Sequence, residues 1–189
     1  MKHFYFVIYE MKKLLLLTSL LGVVLLAGCG TKTGTTVTTT TTTMQTFDGS
    51  GFSIQYPANW NEQENVYGAS VMFFSPQLSG DQFRENVGIV TEVLPTDMAV
   101  ADYYTSIKTT ITNYIKDYQE LSNEDITIGD VAAKKIVYVG MQSNYKLKWM
   151  QVLVIKNKVA YVINYTASAD TFADFSKEAD AMIKSFVLK

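Results

Sequence analysis

Histidine, cysteine and arginine are nearly absent from this sequence of 189 residues: each occurs once, as His3, Cys29 and Arg84. A single cysteine excludes the disulfide-rich class of small secreted domains. Charge of one sign is not in excess either, because 16 basic and 18 acidic residues give a net charge of −2 and a pI near 5.4. A nucleic-acid binder would show a basic face, so we expect no nucleic-acid partner.

What the sequence does contain is an ordinary globular composition, with 48% hydrophobic and 18% charged residues. That composition excludes collagen-like and wholly disordered chains. The length favours one domain.

The N-terminus has the parts of a secretory signal. Lys12 and Lys13 precede an apolar run, Leu14 to Leu26, broken by few polar residues. As a helix this run would span about 20 Å, short of the roughly 30 Å hydrocarbon core of a bilayer. We therefore predict a signal peptide rather than a membrane-spanning helix. The sequence leaves open whether translation starts at Met1 or Met11.

The run ends in Leu26-Ala27-Gly28-Cys29, which resembles the lipobox of prokaryotic lipoproteins. The resemblance implies that residues 1–28 are removed and that lipidated Cys29 becomes the first residue of the mature chain. It also implies an anchor in the cell membrane or the outer membrane, on the extracytoplasmic face. The alternative is a plainly secreted protein with a stray cysteine.

Removal of residues 1–28 would take away the one histidine. Neither a Ser-His-Asp triad nor a histidine-ligated metal could then be assembled, and a thioether-linked Cys29 could not act as a nucleophile. Gly49-Ser50-Gly51 lacks the further glycine and the helix of a phosphate-binding loop. We therefore expect no catalytic, cofactor-binding or metal-binding residues, and no enzyme.

Residues 29–46 are predicted to be a linker that follows the lipid anchor. Eleven of the seventeen residues from 30 to 46 are threonine, and such a tract has too little apolar surface to offset its ordering entropy. The globular domain is expected over residues 47–189.

Within the domain, alternating or continuous apolar runs predict strands, and two longer segments have helical spacing. The last two strands, Val152 to Ile155 and Val159 to Ile163, are expected to be central because they are apolar on both faces. Turns are expected at Gly129-Asp130 and Lys156-Asn157. The predicted strands are 52–56, 71–74, 87–93, 124–128, 132–141, 147–155 and 159–167, and the predicted helices are 97–118 and about 170–186.

Thr96 or Asp97 is expected to cap the first helix, and Ser168 or Asp170 the second. Short connections favour antiparallel pairing, so these elements predict an α+β domain with about six strands.

Three motifs resemble those of PsbP-like domains. Gly51 to Trp60 reads as a strand that runs into a Pro-x-x-Trp turn, and Ile128-Gly129-x-x-Ala132 and Ile183-Lys184-Ser185-Phe186 fall where that family has similar elements. The resemblance implies an α-β-α sandwich on an antiparallel sheet. Because that fold serves photosystem, Ran-binding and bacterial lipoprotein hosts, it does not fix a function. Trp60 is expected to be a core aromatic.

Acidic residues are the abundant catalytic type that remains. Asp170, Asp174 and Glu178 would share one helix face, either as a solvated surface or as paired acids of a glycan hydrolase. A second acidic group clusters around two turns with hard oxygen ligands for Ca²⁺, but without the ligand spacing of a calcium loop. Its members are Glu120, Glu124, Asp125 and Asp130.

Basic and aromatic residues meet at Tyr145, Lys146, Lys148 and Trp149. We interpret them as a sheet face flanked by lysines, which could lie near anionic lipid headgroups. The function favoured by the sequence is a lipid-anchored, non-enzymatic accessory or binding domain. A carboxylate-dependent glycan hydrolase and an envelope scaffold with a protein partner stay as alternatives.

Overall fold

The computed structural model describes residues 43–78 and 83–189, so the predicted signal peptide, Cys29 and most of the predicted linker lie outside the described residues. Within those ranges the chain forms ten strands and two helices. The strands are β1 (Met44–Gly49), β2 (Phe52–Pro57), β3 (Asn61–Glu64), β4 (Val71–Phe74), β5 (Asn86–Val93), β6 (Lys116–Ile128), β7 (Val131–Gln142), β8 (Tyr145–Lys156), β9 (Val159–Ser168) and β10 (Val187–Leu188), and the helices are α1 (Val100–Tyr114) and α2 (Phe172–Lys184).

The centre of the domain is a seven-stranded antiparallel sheet in the order β3-β4-β5-β9-β8-β7-β6. β8 and β9 lie inside it, as their apolar runs predict, and Val152, Leu153 and Ile163 are fully buried. Strands covered on both faces need apolar side chains at every position, which explains why these two runs do not alternate.

One face of this sheet is covered by α2 and by a second sheet of order β1-β2-β10. Phe52 and Ile54 of β2 pack inward onto Ile163 and Tyr165 of β9 in one buried cluster, to which α2 contributes Met182. These aromatic and branched side chains bury most of their area, and that burial is the main force that holds the layers together.

The opposite face is covered by α1, which buries Tyr103, Ile107 and Ile111. These side chains belong to one cluster with Trp149 and Leu153 of β8. The predicted α+β sandwich is therefore confirmed, with seven strands in the main sheet instead of about six. No helix in the described part of the chain is long and apolar enough to cross a membrane.

Three short strands were not predicted, because their sequences carry little apolar pattern. β3 is entirely polar and pairs with β4 through its main chain. β1 buries only Phe47 among its six residues, and its start at Met44 shows that residues 44–46 belong to a strand rather than to the expected linker. β10 has two residues and adds to β2 beside Ser53.

The first helix ends earlier than its spacing predicts. α1 stops at Tyr114, since Ile115 is extended and Asp117 has a φ of 55°. Tyr118 lies in β6 instead, with its ring 5.4 Å from that of Tyr138 on β7. Spacing alone predicted a longer helix because these aromatic residues fit both periods. β6 therefore begins at Lys116, well before the predicted position 124.

The predicted helix caps and one turn are wrong. Ala99 and Thr171 precede the helices, and neither makes a side-chain capping bond. The β8–β9 turn is Asn157-Lys158, one residue later than expected, and both residues have positive φ. Positive φ at both central positions is typical of the type I′ turn, whose backbone twist matches that of the strands.

Candidate functional site

The β1–β2 hairpin gives the domain two distinct ends. Met44 pairs with Pro57 at the end where the chain enters from the Thr-rich segment, and Gly49 pairs with Phe52 at the other end. The six residues of β1 span roughly 20 Å between them. We call these the entry end and the cavity end.

A cavity of about 340 Å³ lies at the cavity end, where the second sheet stops short of the main sheet. The end of β5 and the start of β9 line it, and its rim is formed by the β1–β2 and β8–β9 turns, the end of β8 and Lys189. The lining residues are Ser50, Gly51, Thr91, Val93, Lys156, Asn157, Val159, Tyr161 and Lys189.

Tyr161 lies at the base of this cavity. Its ring packs against Phe52 and Phe186, with edge-on contacts at 6.0 and 5.9 Å between centroids, and only 5% of the residue is exposed. Its hydroxyl has no hydrogen-bond partner among the described residues. Burial raises the pKa of Tyr161 above its usual value. The hydroxyl therefore stays protonated at neutral pH and can donate a hydrogen bond into the cavity.

Gly51 keeps the cavity open above that hydroxyl. The residue has a φ of +81°, and a Cβ placed there would lie 2.5 Å from the Tyr161 oxygen. Any L side chain would be strained at this φ and would collide with the tyrosine. Glycine is therefore required at the turn both for its backbone conformation and for access to Tyr161.

Two lysines provide positive charge at the rim. The Lys189 ammonium is 2.8 Å from the Asp48 carboxylate, whereas Lys156 has no ion pair within the described part of the chain. The nearby Lys158 does not line the cavity, and its ammonium is 4.0 Å from Asp97. One of the two rim lysines is thus uncompensated.

Two of the three acidic residues of the predicted helix face share it, because Asp174 and Glu178 are four residues apart within α2. Asp170 precedes the helix, which begins only at Phe172, and Asp174 is exposed near its start. Burial of the Tyr165 hydroxyl raises its pKa most, and the nearby carboxylates of Glu85, Glu178 and Asp174 add to that shift. None of these acids lines the cavity.

Both carboxylate oxygens of Glu120 are occupied by donors from the protein itself, so they are not free metal ligands. Oε2 accepts hydrogen bonds from Tyr104 at 2.7 Å and Tyr118 at 2.9 Å, and Lys108 lies 3.1 Å away. Asn123 donates to Oε1 at 3.3 Å. Burial of the Glu120 carboxyl opposes ionisation, but these four donors outweigh it and lower the pKa to about 2.

The other acids of that group are dispersed. Asp125 forms an ion pair of 2.7 Å with Lys134, while Glu124 and Asp130 are exposed. The described residues contain no group of three or more acidic, histidine or cysteine side chains that could hold a metal ion.

The aromatic and basic residues near 145–149 are part of the sheet, as interpreted. Trp149 is buried and stacks on Tyr138 at 5.0 Å, whereas the Lys148 ammonium lies on the other face, 4.3 Å from the Phe172 ring centroid. Trp60 is also a core residue, with its ring edge-on to Phe175 at 5.8 Å.

Sequence reasoning missed the cavity because four separate segments contribute to it. Asn157 was recognised as a turn residue and Gly51 as part of a glycine pair, but no spacing links either to Thr91 or Tyr161. The one available signal was Tyr161 itself, a hydroxyl within a run that is otherwise almost continuously apolar.

A family model described as PsbP-like protein matches residues 31–188. LpqN, involved in cell envelope biogenesis of Mycobacterium tuberculosis, has a similar structure with a TM-score of 0.64 at 13% identity, covering 77% of this chain and 91% of LpqN. Cyanobacterial PsbP from Synechocystis sp. PCC 6803 gives 0.60 at 13% identity, covering 82% and 98%.

The Ran-binding protein Mog1p of Saccharomyces cerevisiae gives a TM-score of 0.53 at 10% identity, covering 78% of this chain and 96% of Mog1p. At such identities the likeness shows the fold alone. No curated protein matches the sequence.

Proposed function

Since this chain belongs to the PsbP-like protein family, we propose that it is a lipid-anchored accessory protein whose domain binds a ligand and catalyses no reaction. In this proposal Cys29 carries the anchor, the domain lies on the extracytoplasmic face of the membrane, and the cavity beside Tyr161 is the binding site. An envelope protein is a second class of partner that the anchor would bring within reach.

The observation that carries the binding role is the chemistry of the cavity lining. The described side chains that line it offer hydroxyl, amide and ammonium groups, and no hydrogen bond joins any two of these side chains. Nucleophilic catalysis by a hydroxyl or an amine needs an activating partner within hydrogen-bond reach, and the lining side chains do not provide that pairing for one another. A preformed concave site with a few converging donors is instead suited to holding a ligand in place.

The anchor is supported by the sequence Leu26-Ala27-Gly28-Cys29 and by the likeness to LpqN, a protein of cell envelope biogenesis. Lipobox processing supplies at least two acyl chains, and two chains anchor a protein stably where one binds only marginally. The threonine-rich segment between Cys29 and Met44 would separate the domain from the bilayer.

The test of the anchor is Cys29→Ser. We expect the wild-type chain in the membrane fraction, with a mature N-terminus whose mass includes the acyl groups, and the variant as uncleaved precursor or soluble protein. Lys12→Gln, which keeps Lys13, is the control and should leave fractionation unchanged. An unmodified thiol at Cys29 on membrane-bound protein would contradict the proposal.

The binding role is tested separately, by chemical crosslinking in native membranes. A photoreactive group placed at Lys158, beside the cavity, should capture a ligand or partner that the same group at Lys146, at the entry end, does not. Equal capture at both positions would contradict a binding site at the cavity end.

A further inference from the structure

We infer that the cavity binds a small molecule through an oxyanion, a phosphate or carboxylate group, which the Lys156 ammonium and the Tyr161 hydroxyl hold between them. This inference rests on the proposed binding function and adds the chemical class of the ligand.

The lining is richer in donors than in obligate acceptors. Among the residues that surround the cavity, six side chains carry an O–H or N–H group: Ser50, Thr91, Lys156, Asn157, Tyr161 and Lys189. Thr91 and Lys189 already have partners, since the Thr91 hydroxyl is 3.0 Å from that of Ser70 and the Lys189 ammonium is 2.8 Å from Asp48. The other four donors are available to a ligand. An ammonium has three donors and no acceptor, and the asparagine amide has two donors. A ligand that satisfies them must present acceptor oxygens, and an oxyanion presents little else.

The Tyr161 hydroxyl is the most specific of these donors. Only 5% of the residue is exposed, and its ring is buried against Phe52 and Phe186. The hydroxyl is at the edge of the ring that lines the cavity and is open to solvent there. No described residue accepts its hydrogen bond, so this donor is available to a bound group that replaces solvent.

The Lys156 ammonium is the unpaired positive charge at the rim. Asp48 compensates Lys189 at 2.8 Å, whereas Lys156 has no ion pair with a described residue. A charge-assisted hydrogen bond from Lys156 to an oxyanion would be stronger than a bond to a neutral oxygen, and partial enclosure of the site would strengthen it further.

The remaining walls set the size and polarity of the ligand. Val93 is 80% exposed and pairs across the strands with Val159, so the two valines form an apolar wall beside the donors. A volume of about 340 Å³ is at the small end of ligand-binding pockets. The site therefore suits a small organic anion with a short apolar portion.

The test uses the full chain, purified in a non-ionic detergent, with ¹³C-labelled valine methyl groups as reporters. Inorganic phosphate and acetate are titrated separately at an ionic strength held constant with chloride. We expect saturable shifts of the Val93 and Val159 resonances with at least one of the two anions. The anion that binds with the higher affinity shows whether the site prefers a phosphate or a carboxylate group. A valine at the entry end, such as Val139, which pairs with Lys148, should not respond.

Three variants separate this site from general charge effects. Lys156→Gln should weaken binding about tenfold or more, and Tyr161→Phe, which removes a single oxygen atom, about threefold or more. Lys158→Gln is the matched control, because it removes a neighbouring lysine outside the cavity, and should change affinity less than twofold.

The inference is overturned if neither anion gives a saturable shift, if glucose shifts the same valines more strongly than both anions, or if Lys158→Gln weakens binding as much as Lys156→Gln. If the crosslinker at Lys158 captures a ligand and one of these results is also obtained, the proposed binding function holds but the ligand is not an oxyanion.

Discussion

At the scale of single residues, Glu120 shows how a carboxylate in this domain stabilises structure. Its four donors come from α1 and from β6, so ionised Glu120 joins the helix to the edge strand of the main sheet. The lowered pKa of about 2, against 4.5 for an unperturbed glutamate, links that contact to pH. Stabilisation is complete above pH 4.5 and is lost as the pH falls toward 2.

We therefore predict that Glu120→Gln lowers the free energy of unfolding by about 1–2 kcal/mol at pH 7, since it replaces charge-assisted hydrogen bonds by neutral ones. The difference between wild type and variant should shrink as the pH is lowered from 5 to 2. Urea denaturation at several pH values measures it.

Glu124→Gln, at an exposed position of the same strand, is the control for loss of one negative charge and should change the stability by less than about 0.5 kcal/mol. If the Glu120→Gln difference were the same at pH 7 and pH 3, ionisation of Glu120 would not be the source of the stabilisation.

At the scale of the elements, the β8–β9 turn carries a conformational cost that a substitution can remove. Lys158 has a φ of 60°, where a side chain costs about 1–2 kcal/mol relative to a right-handed conformation. Lys158→Gly would create the Asn-Gly pair that two-residue hairpins prefer. Greater freedom of glycine in the unfolded chain offsets part of the gain.

We predict a net stabilisation of about 0.5–1 kcal/mol for Lys158→Gly, measured by urea denaturation at pH 7. Loss of the 4.0 Å pair with Asp97 should matter little, because both side chains are exposed. Lys146→Gly makes the same change at an exposed, extended position of β8 and should destabilise the protein. A loss of stability in both variants would contradict the assigned turn conformation.

The elements also show what the sequence could predict. β8 and β9 were predictable because each contains a nearly continuous apolar run, and both helices because their apolar residues recur at helical spacing over ten or more positions. β3 and β10 were not, since edge pairing of a short polar segment depends on where its neighbour lies and not on its own side chains. The end of α1 was missed because Tyr114 and Tyr118 fit a helical stripe, although Tyr114 is exposed.

At the scale of the whole molecule, the cavity lies at the end of the domain opposite Met44, the residue at which β1 begins. The chain enters at Met44, and the cavity is one hairpin length away, beside Gly51. Lys146 and Lys148 are at the entry end, because β8 runs from Tyr145 there to Lys156 at the cavity. Lysines that face the bilayer are attracted to anionic headgroups, and this attraction would favour the same orientation as the anchor.

The turns at the two ends of β7 offer a direct measurement of this orientation. Asn144 lies in the turn after the strand at the entry end and Asp130 precedes it at the cavity end, and the 12 residues of the strand span roughly 40 Å. Cys29 is the one cysteine in the sequence, so if its thiol is lipidated, Asn144→Cys and Asp130→Cys can each receive a single nitroxide label.

In vesicles that contain a nickel-chelating lipid, we predict at least twofold greater relaxation enhancement at position 144 than at position 130. The same labels on chain without acyl groups should show no difference, and equal or reversed values on the anchored chain would mean that the cavity does not face away from the membrane.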